Sequence, residues 1–211
     1  MANKKYEFTG ETRVVAGRTL HRIRAIITFS YVQAGEVGGW IETESNLSVS
    51  GDAWVFGNAE VSGNAKVSGN AKVSGDALVF GNAKVSGDAL VFGNAKVYGD
   101  AWVFGDANVS GDAKVYGDAE VSGNADVYGN AEVSGNADYI VIKNCWSSMR
   151  WFTYTRSNKK WKVGCFYGTG EVLVKKAYAD SEKSGKCYEA IVRAVEAIEA
   201  ATNEKEAEDG E

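Results

Sequence analysis

The residues of this chain that could hold a planar anion are concentrated between positions 150 and 167. Basic and aromatic side chains alternate there, and the set we single out is Arg150, Trp151, Tyr154, Arg156, Lys160, Trp161 and Tyr167. Aromatic rings stack on bases, and guanidinium and ammonium groups pair with phosphate oxygens. The cluster therefore predicts a binding site for a small nucleotide-like anion. A second interpretation fits the same residues: the rings pack inside the protein while the basic side chains are merely solvated.

The charge distribution points to the same segment. The chain of 211 residues has a net charge of −5, but residues 49–138 contain 5 lysines against 12 acidic residues, whereas residues 139–180 contain 8 basic residues against 2 acidic ones. An anion is therefore expected to bind after residue 138. A long nucleic acid is disfavoured as a partner, because the acidic segment would repel an extended polyanion.

Residue types that perform catalysis are scarce in this chain. His21 is the only histidine, which excludes a three-histidine zinc site, and we interpret it as a strand residue. Carboxylates recur in Gly-Asp pairs, but Asn replaces Asp freely in the same pairs, and Asn cannot act as a general acid or base. The three cysteines, Cys145, Cys165 and Cys187, show no metal-ligand spacing. We therefore predict a protein that is not an enzyme and uses no cofactor or metal.

The scaffold for these residues is an uninterrupted repeat. Fifteen six-residue units run from Val49 to Asp138, each reading Val, a variable residue, Gly, Asn or Asp, Ala, and a second variable residue. In an extended chain the Ala of one unit and the Val of the next lie two residues apart and point to the same side. The Gly-Asn or Gly-Asp pair supplies a turn. Each unit is therefore predicted to form a short strand and a corner of a solenoid.

The Val-x-x-x-Ala-x spacing resembles the left-handed parallel β-helix of hexapeptide-repeat proteins, in which three units form one triangular coil. This resemblance implies a mainly β protein with about five coils. The segment FSYVQAGEVGGWI, with Phe29, Val32, Ala34, Gly35, Gly38, Gly39 and Trp40, resembles the opening of YdcK-type hexapeptide-repeat proteins. Acyltransferases of the hexapeptide-repeat class use a histidine base and often a loop extruded from the coils, and these fifteen units extrude none. An acyltransferase homologue is kept as an alternative.

The outward side chains flank each Val and can be sorted onto three faces by taking every eighteenth residue. Apolar and aromatic residues recur at these positions, and the predicted interface set is Trp54, Phe56, Leu78, Phe80, Leu90, Phe92, Tyr98, Trp102, Phe104 and Tyr116. Among them, Phe80, Tyr98 and Tyr116 should form a continuous ladder. Apolar patches of this size indicate an interface. We predict a homo-oligomer, with a trimer favoured by the resemblance to related helices, and a foreign protein as the alternative partner.

Four segments are predicted along the chain. Residues 1–48 form an N-terminal β cap, residues 49–142 the β-helix, residues 143–203 a module of two strands and two helices, and residues 204–211 an acidic tail. The predicted strands of the module cover residues 150–156 and 161–167, and its helices cover residues 171–179 and 186–200. No apolar run approaches the length of a membrane span, so no membrane partner is expected. The odd cysteine count and the lack of a signal peptide favour the cytoplasm.

The C-terminal block resembles the endings of uncharacterised bacteriophage and prophage proteins, especially in TRSNKKWKVGCFYGTGE. This resemblance implies a viral origin and a location in the cytoplasm of an infected bacterial host. The function predicted is that of a non-catalytic binding protein that sequesters a nucleotide-like immune signal or inhibits a host defence component. A purely structural scaffold is the other alternative. The identity of the ligand or partner stays open.

Overall fold

The computed structural model describes residues 4–208, with side chains described to residue 202. Three longer strands come first, β1 (Tyr6–Val15), β2 (Arg18–Ala25) and β3 (Val37–Ile41). Fourteen two-residue strands follow, each made of a repeat Val and the residue before it: β4 (Trp54–Val55), β5 (Glu60–Val61), β6 (Lys66–Val67), β7 (Lys72–Val73), β8 (Leu78–Val79), β9 (Lys84–Val85), β10 (Leu90–Val91), β11 (Lys96–Val97), β12 (Trp102–Val103), β13 (Asn108–Val109), β14 (Lys114–Val115), β15 (Glu120–Val121), β16 (Asp126–Val127) and β17 (Glu132–Val133). The C-terminal elements are β18 (Tyr139–Lys143), β19 (Trp151–Thr155), β20 (Lys160–Val163), β21 (Phe166–Gly168), α1 (Gly170–Asp180) and α2 (Glu182–Glu208).

The repeat strands form a parallel β-solenoid of about five turns with three faces. The first face is the sheet β5-β8-β11-β14-β17, the second is β16-β13-β10-β7-β4, and the third is β15-β12-β9-β6. Paired strands within each face are eighteen residues apart, as Lys96 with Lys114 on the first face. The predicted mainly β solenoid and its three-face sorting are therefore confirmed, while its left-handed sense stays a prediction.

The interior of the solenoid is filled by small apolar side chains. Val and Ala from successive units are fully buried along the whole repeat, from Ala53 to Val133. Small side chains suit this interior, because three short strands enclose each coil and the space between them is too narrow for longer side chains. The outer units depart from the rule: Val49 is exposed, and Leu47 instead pairs with Val67 and is buried. The inward-facing register of the solenoid thus begins at Leu47, before the first repeat unit. Leu47 and Ala53 are separated by two residues more than the Val and Ala of a regular unit.

The corners combine glycine with a ladder of polar side chains. Asn58 donates its amide to the Asp76 carboxylate at 3.2 Å, and Asn94 does the same to Asp112 at 2.9 Å, each pair being one coil apart. An Asn followed by an Asp along a corner places a donor next to an acceptor and avoids stacking like charges. These contacts support the interpretation of the Gly-Asp pairs as structural turns.

Both open edges of the solenoid are covered by hydrogen bonds from the end modules. At the first coil, the Lys5 ammonium donates to the Ala53 carbonyl at 2.7 Å, and the Asn46 amide donates to the Ala65 carbonyl at 2.9 Å. At the last coil, the backbone N–H of Asp126 donates to Thr153 Oγ1 at 2.9 Å. Similarly, the N–H of Glu132 donates to Ser157 Oγ at 2.8 Å. Each end module therefore replaces the missing neighbouring coil, which removes an exposed sheet edge.

The C-terminal module is a four-stranded antiparallel sheet, β18-β19-β20-β21, covered by α1 and α2. We expected Tyr139–Ile142 to extend the solenoid, but β18 pairs antiparallel with β19 and belongs to this sheet. The second predicted strand is divided into β20 and β21 because the chain turns at Gly164, whose φ is +56°. The second helix continues to Glu208, beyond the predicted boundary at residue 203, and the last three residues of the expected acidic tail lie outside the described residues.

Across residues 4–208, no helix combines the length and the apolar character needed to cross a lipid bilayer.

Candidate functional site

The seven residues predicted to bind a ligand do not lie in one place. Arg150 and Trp151 lie at the start of β19, on the side of the second solenoid face. Arg156 lies beyond the other end of β19, 3.5 Å from the Glu199 carboxylate. Lys160 is half-buried, and Tyr167 lies where the module meets the solenoid, with its ring against that of Tyr128.

Tyr154 and Trp161 belong to the core of the C-terminal module. Their side chains are 5% and 2% exposed, and their ring centroids lie 5.0 Å apart. The Tyr154 hydroxyl donates to Glu199 Oε2 at 2.6 Å, and burial raises the pKa of Tyr154 above its ordinary value. Both residues line a groove of about 460 Å³ beside α2, but they are almost completely buried, so for these two residues the structure favours the packing interpretation. Tyr154 and Trp161 alternate with polar residues along their strands because one face of the sheet packs against the two helices.

Arg150 and Trp151 instead line a cleft of about 290 Å³ between the solenoid and the C-terminal module. The cleft has a solenoid wall and a module wall, and its lining residues are Asp106, Asn108, Asn124, Asp126, Met149, Arg150, Trp151, Thr153, Lys162 and Gly164. This is the candidate functional site, which we call the junction cleft.

The solenoid wall of the junction cleft is a grid of four polar side chains. Asn108 and Asp126 are register partners on the adjacent strands β13 and β16. Asp106 and Asn124 occupy the neighbouring corner one coil apart, with the Asn124 amide 3.5 Å from the Asp106 carboxylate. Adjacent coils lie at the spacing of hydrogen-bonded strands, about 4.8 Å, so the grid offers donors and acceptors at a spacing suited to one small ligand.

Asp126 and Lys162 join the two walls. The Lys162 ammonium lies 3.5 Å from Asp126 Oδ2, donates to the Gly164 carbonyl, and lies 5.0 Å from the centroid of the Tyr128 ring. Burial raises the pKa of the Asp126 carboxyl, and the nearby Lys162 charge partly offsets that effect. This ion pair is half-buried and holds the module on the last coil, so the charge of Lys162 is already neutralised within the protein.

The module wall rests on a loop that the buried Asn144 holds in place. The Asn144 Oδ1 accepts hydrogen bonds from the backbone N–H groups of Trp146 at 3.0 Å and Ser147 at 3.2 Å. The Asn144 amide also donates to Ser147 Oγ at 2.9 Å, and the Asn144 backbone N–H donates to the Arg150 carbonyl at 2.9 Å. A buried and fully bonded Asn fixes the loop before any ligand arrives.

The side chains of Arg150 and Trp151, which follow this loop, differ in the contacts that they make. Within the part of the chain with described side chains, no acidic group or hydrogen-bond acceptor reaches the Arg150 guanidinium. Trp151 is 39% exposed, and the Lys143 ammonium covers one face of its ring at 4.6 Å from the centroid. An uncommitted guanidinium beside a half-exposed indole can hold an anion next to a planar group.

Sequence reasoning missed the solenoid wall, and it counted Lys162 among the basic residues of the segment without assigning it to the site. A signal was present in the second face, where the residues before Val read Trp54, Lys72 and Leu90 and then change to Asn108 and Asp126. That change to short polar residues marks the part of the face that the module overhangs. It could have been found in the sorting of every eighteenth residue.

The predicted interface residues mostly point outward. The rings of Phe80, Tyr98 and Tyr116 form the predicted ladder, with centroids 4.9 Å and 5.2 Å apart and interplanar angles of 1° and 6°. Phe92 and Trp102 are 40% and 38% exposed, and Trp102 lies against Phe104. Leu90 is half-buried, and Leu78 lines a groove of about 310 Å³ beside the β1–β2 hairpin.

Trp54 is the exception, and its predicted place in an interface needs correction. The side chain is fully buried, and its ring makes edge contacts with Phe29 at 5.5 Å and Tyr6 at 6.2 Å. Phe56 is also partly covered and packs against the same core. Trp54 points outward from the solenoid as expected, but the N-terminal cap folds over it, so it cannot meet a second subunit.

Comparison with known proteins adds no further identification, since no family model matches this chain and no curated protein is significantly similar to it.

Proposed function

We propose that this protein is a non-catalytic binding protein that captures a small nucleotide-like anion in the junction cleft. The observation that carries the proposal is that Arg150, at the end of the loop fixed by Asn144, and Trp151, at the start of β19, line the same cleft. The guanidinium would pair with a phosphate, while the open face of the indole would stack on a base. The polar grid opposite would hydrogen-bond to the remaining edge of the ligand.

The surroundings of the titratable groups support binding rather than catalysis. Asp126 and Lys162 neutralise each other, and their contact holds the module in place. His21 lies in β2 at the opposite end of the solenoid, and its ring stacks on Phe8 with centroids 4.7 Å apart. A histidine packed in this way within the N-terminal cap has a structural role that accounts for its presence.

Sequestration of a nucleotide-like immune signal is the form of this function that the phage resemblance of the C-terminal block favours. On this proposal the protein acts in the cytoplasm of an infected bacterial host and removes the signal by binding it tightly. Inhibition of a host defence protein through the solenoid faces is the corresponding proposal for a macromolecular partner.

Isothermal titration calorimetry with the intact protein tests ligand capture directly. The panel contains mononucleotides, cyclic nucleotides, ADP-ribose derivatives and coenzyme A. We expect at least one nucleotide-like compound to bind, and Arg150→Ala and Trp151→Ala each to weaken that binding by about tenfold or more, since each removes a contact of at least about 1.4 kcal/mol. Arg193→Ala is the matched control, because Arg193 is an exposed arginine on α2 paired with Glu189.

Two results would contradict the proposal. If no compound of the panel produces heat, the small-ligand function is wrong, and capture of a protein through the solenoid faces becomes the better account. If coenzyme A binds equally well to wild type and to Arg150→Ala, the acyltransferase alternative gains support instead.

Self-association is a second proposal, and the stacked ladder of Phe80, Tyr98 and Tyr116 favours it. Stacked rings present their edges to solvent along one face, and a second copy would cover them. A trimer is the assembly we favour, with the ladder contacting a neighbouring subunit.

A further inference from the structure

We infer that the junction cleft selects ligands with a single phosphate, such as nucleoside monophosphates and cyclic mononucleotides, over diphosphates and triphosphates. The inference rests on the proposed function, since it names the ligand class of the same cleft. It follows from the number of uncommitted charges on the two walls and from the size of the cleft.

The count of charges is the first argument. Arg150 and Lys162 are the two cations lining the cleft, and Lys162 is already committed to Asp126 and to the Gly164 carbonyl. Arg150 is therefore the lining cation that can receive a phosphate, while the Lys143 ammonium lies over one face of the Trp151 ring outside the lining. Two of the five N–H groups of a guanidinium bind one phosphate by parallel hydrogen bonds, and its single positive charge balances at most one negative charge, so each further phosphate would add charge that the lining does not neutralise.

The position of the carboxylates is the second argument. Asp106 lies on the solenoid wall opposite the module, and its hydrogen bond from the Asn124 amide is long, at 3.5 Å. A diphosphate or triphosphate anchored on Arg150 would bring its additional negative charges toward Asp106. Like charges repel, and the repulsion is strongest where the site is partly shielded from water. A ligand with a single phosphate can keep that phosphate on the module wall and direct its base toward the polar grid of the solenoid wall.

The size of the cleft is the third argument. Its volume of about 290 Å³ lies at the lower end of the range of ligand sites, which is roughly 300–1,000 Å³. A cleft of this size suits one nucleotide, so additional phosphates would extend beyond its lining residues. Charge and volume therefore select the same class of ligand.

The repeat itself provides a substitution that tests this inference without disturbing the fold. Asp106 occupies the corner position at which Asn stands in other units, such as Asn94. Asp106→Asn should therefore remove the charge and keep the turn. Asp118→Asn is the matched control, because it makes the same change at the same unit position on a different corner of the solenoid.

The experiment measures the affinity of the intact protein for the mono-, di- and triphosphate of one nucleoside and for its cyclic monophosphate, in buffer with EDTA so that divalent cations do not neutralise the phosphates. We expect the wild type to bind a monophosphate at least about tenfold more tightly than the triphosphate, a ratio that corresponds to about 1.4 kcal/mol. In Asp106→Asn the ratio should fall to about threefold or less, since the repulsion is removed. Asp118→Asn should keep the wild-type ratio.

The outcomes separate this inference from the proposed function. If the triphosphate binds as tightly as the monophosphate while Arg150→Ala still weakens binding about tenfold or more, the selection is wrong and the capture function stands. An unchanged ratio in Asp106→Asn would also overturn the inference, because the carboxylate would then not cause the selection. If none of the nucleotides binds, the proposed function fails together with it.

Discussion

The substitution Gly129→Ala should displace Tyr167 and so weaken the contact between the C-terminal module and the solenoid. Gly129 has a φ of +72°, and a Cβ atom at this position would lie 2.2 Å from the Tyr167 hydroxyl and 2.5 Å from Cζ of the same ring. The Tyr167 hydroxyl donates to Asn130 Oδ1 at 3.2 Å and accepts from the Asn158 amide at 3.1 Å. The ring also makes an edge contact with Tyr128, with centroids 4.9 Å apart. The added methyl group therefore cannot be accommodated unless Tyr167 leaves its place.

The expected cost can be worked out from these contacts. An L-residue in the left-handed region costs about 1–2 kcal/mol. Displacement of Tyr167 loses two hydrogen bonds of about 1 kcal/mol each and an aromatic pair of about 0.5–1.5 kcal/mol. We therefore expect Gly129→Ala to lower the free energy of unfolding by about 3.5–5.5 kcal/mol.

Gly123→Ala is the matched control for this substitution. Gly123 occupies the same unit position with a φ of +62°, but a Cβ atom there would have no neighbour within 4 Å. It should lose only the conformational term of about 1–2 kcal/mol. Urea unfolding followed by circular dichroism measures both losses, and calorimetry with the ligand found for wild type measures the effect on the cleft.

Equal losses for Gly129→Ala and Gly123→Ala would refute this reasoning, because the contact with Tyr167 would then contribute nothing. The Tyr167→Ala background gives a second check. There the methyl group meets no ring, so Gly129→Ala should cost only about 1–2 kcal/mol, and the coupling between the two sites should be measurable in the double-mutant cycle.

Three further predictions concern assembly, the module core and the first coil. If the ladder is a subunit interface, Phe80→Ser with Tyr98→Ser should shift the protein toward monomer in light scattering, with circular dichroism unchanged; a wild type that is monomeric at micromolar concentration would contradict this. Trp161→Ala should lower the free energy of unfolding by about 3–5 kcal/mol, since it empties a buried site in the core, and a melting temperature equal to that of wild type would contradict the assignment. Burial lowers the pKa of Lys5 to about 8, with Asp52 opposing the effect, so between pH 8 and 10 the unfolded chain holds a proton that the folded chain has released. The free energy of unfolding of the wild type should therefore rise with pH in this window relative to Lys5→Met, and a constant difference between the two would show that the folded pKa is not lowered.

The interior of the solenoid and the arrangement of its faces followed from the sequence alone. Each unit buries its own Val and Ala, so a period of six residues can be read without knowing any distant contact, and the coil of eighteen residues was implied by the resemblance to hexapeptide-repeat helices. The ladder of Phe80, Tyr98 and Tyr116 was predictable for the same reason, because parallel pairing in register places residues eighteen apart directly above one another. Local periodicity is sufficient wherever each coil repeats the contacts of the one before.

The ends of the solenoid and the junction cleft were decided by tertiary structure. Trp54 has the same unit position as the exposed Trp102, and only the N-terminal cap folding over it makes one buried and the other open. Tyr154 and Trp161 are core residues because α1 and α2 return over one face of a sheet, whereas Trp151, three residues from Tyr154, lies at its edge. The junction cleft joins corner residues such as Asp106 to a loop more than forty residues later at Arg150. No repeat relates those two segments, so their meeting depends on how the last coil is covered, and that contact is made only when the whole chain folds.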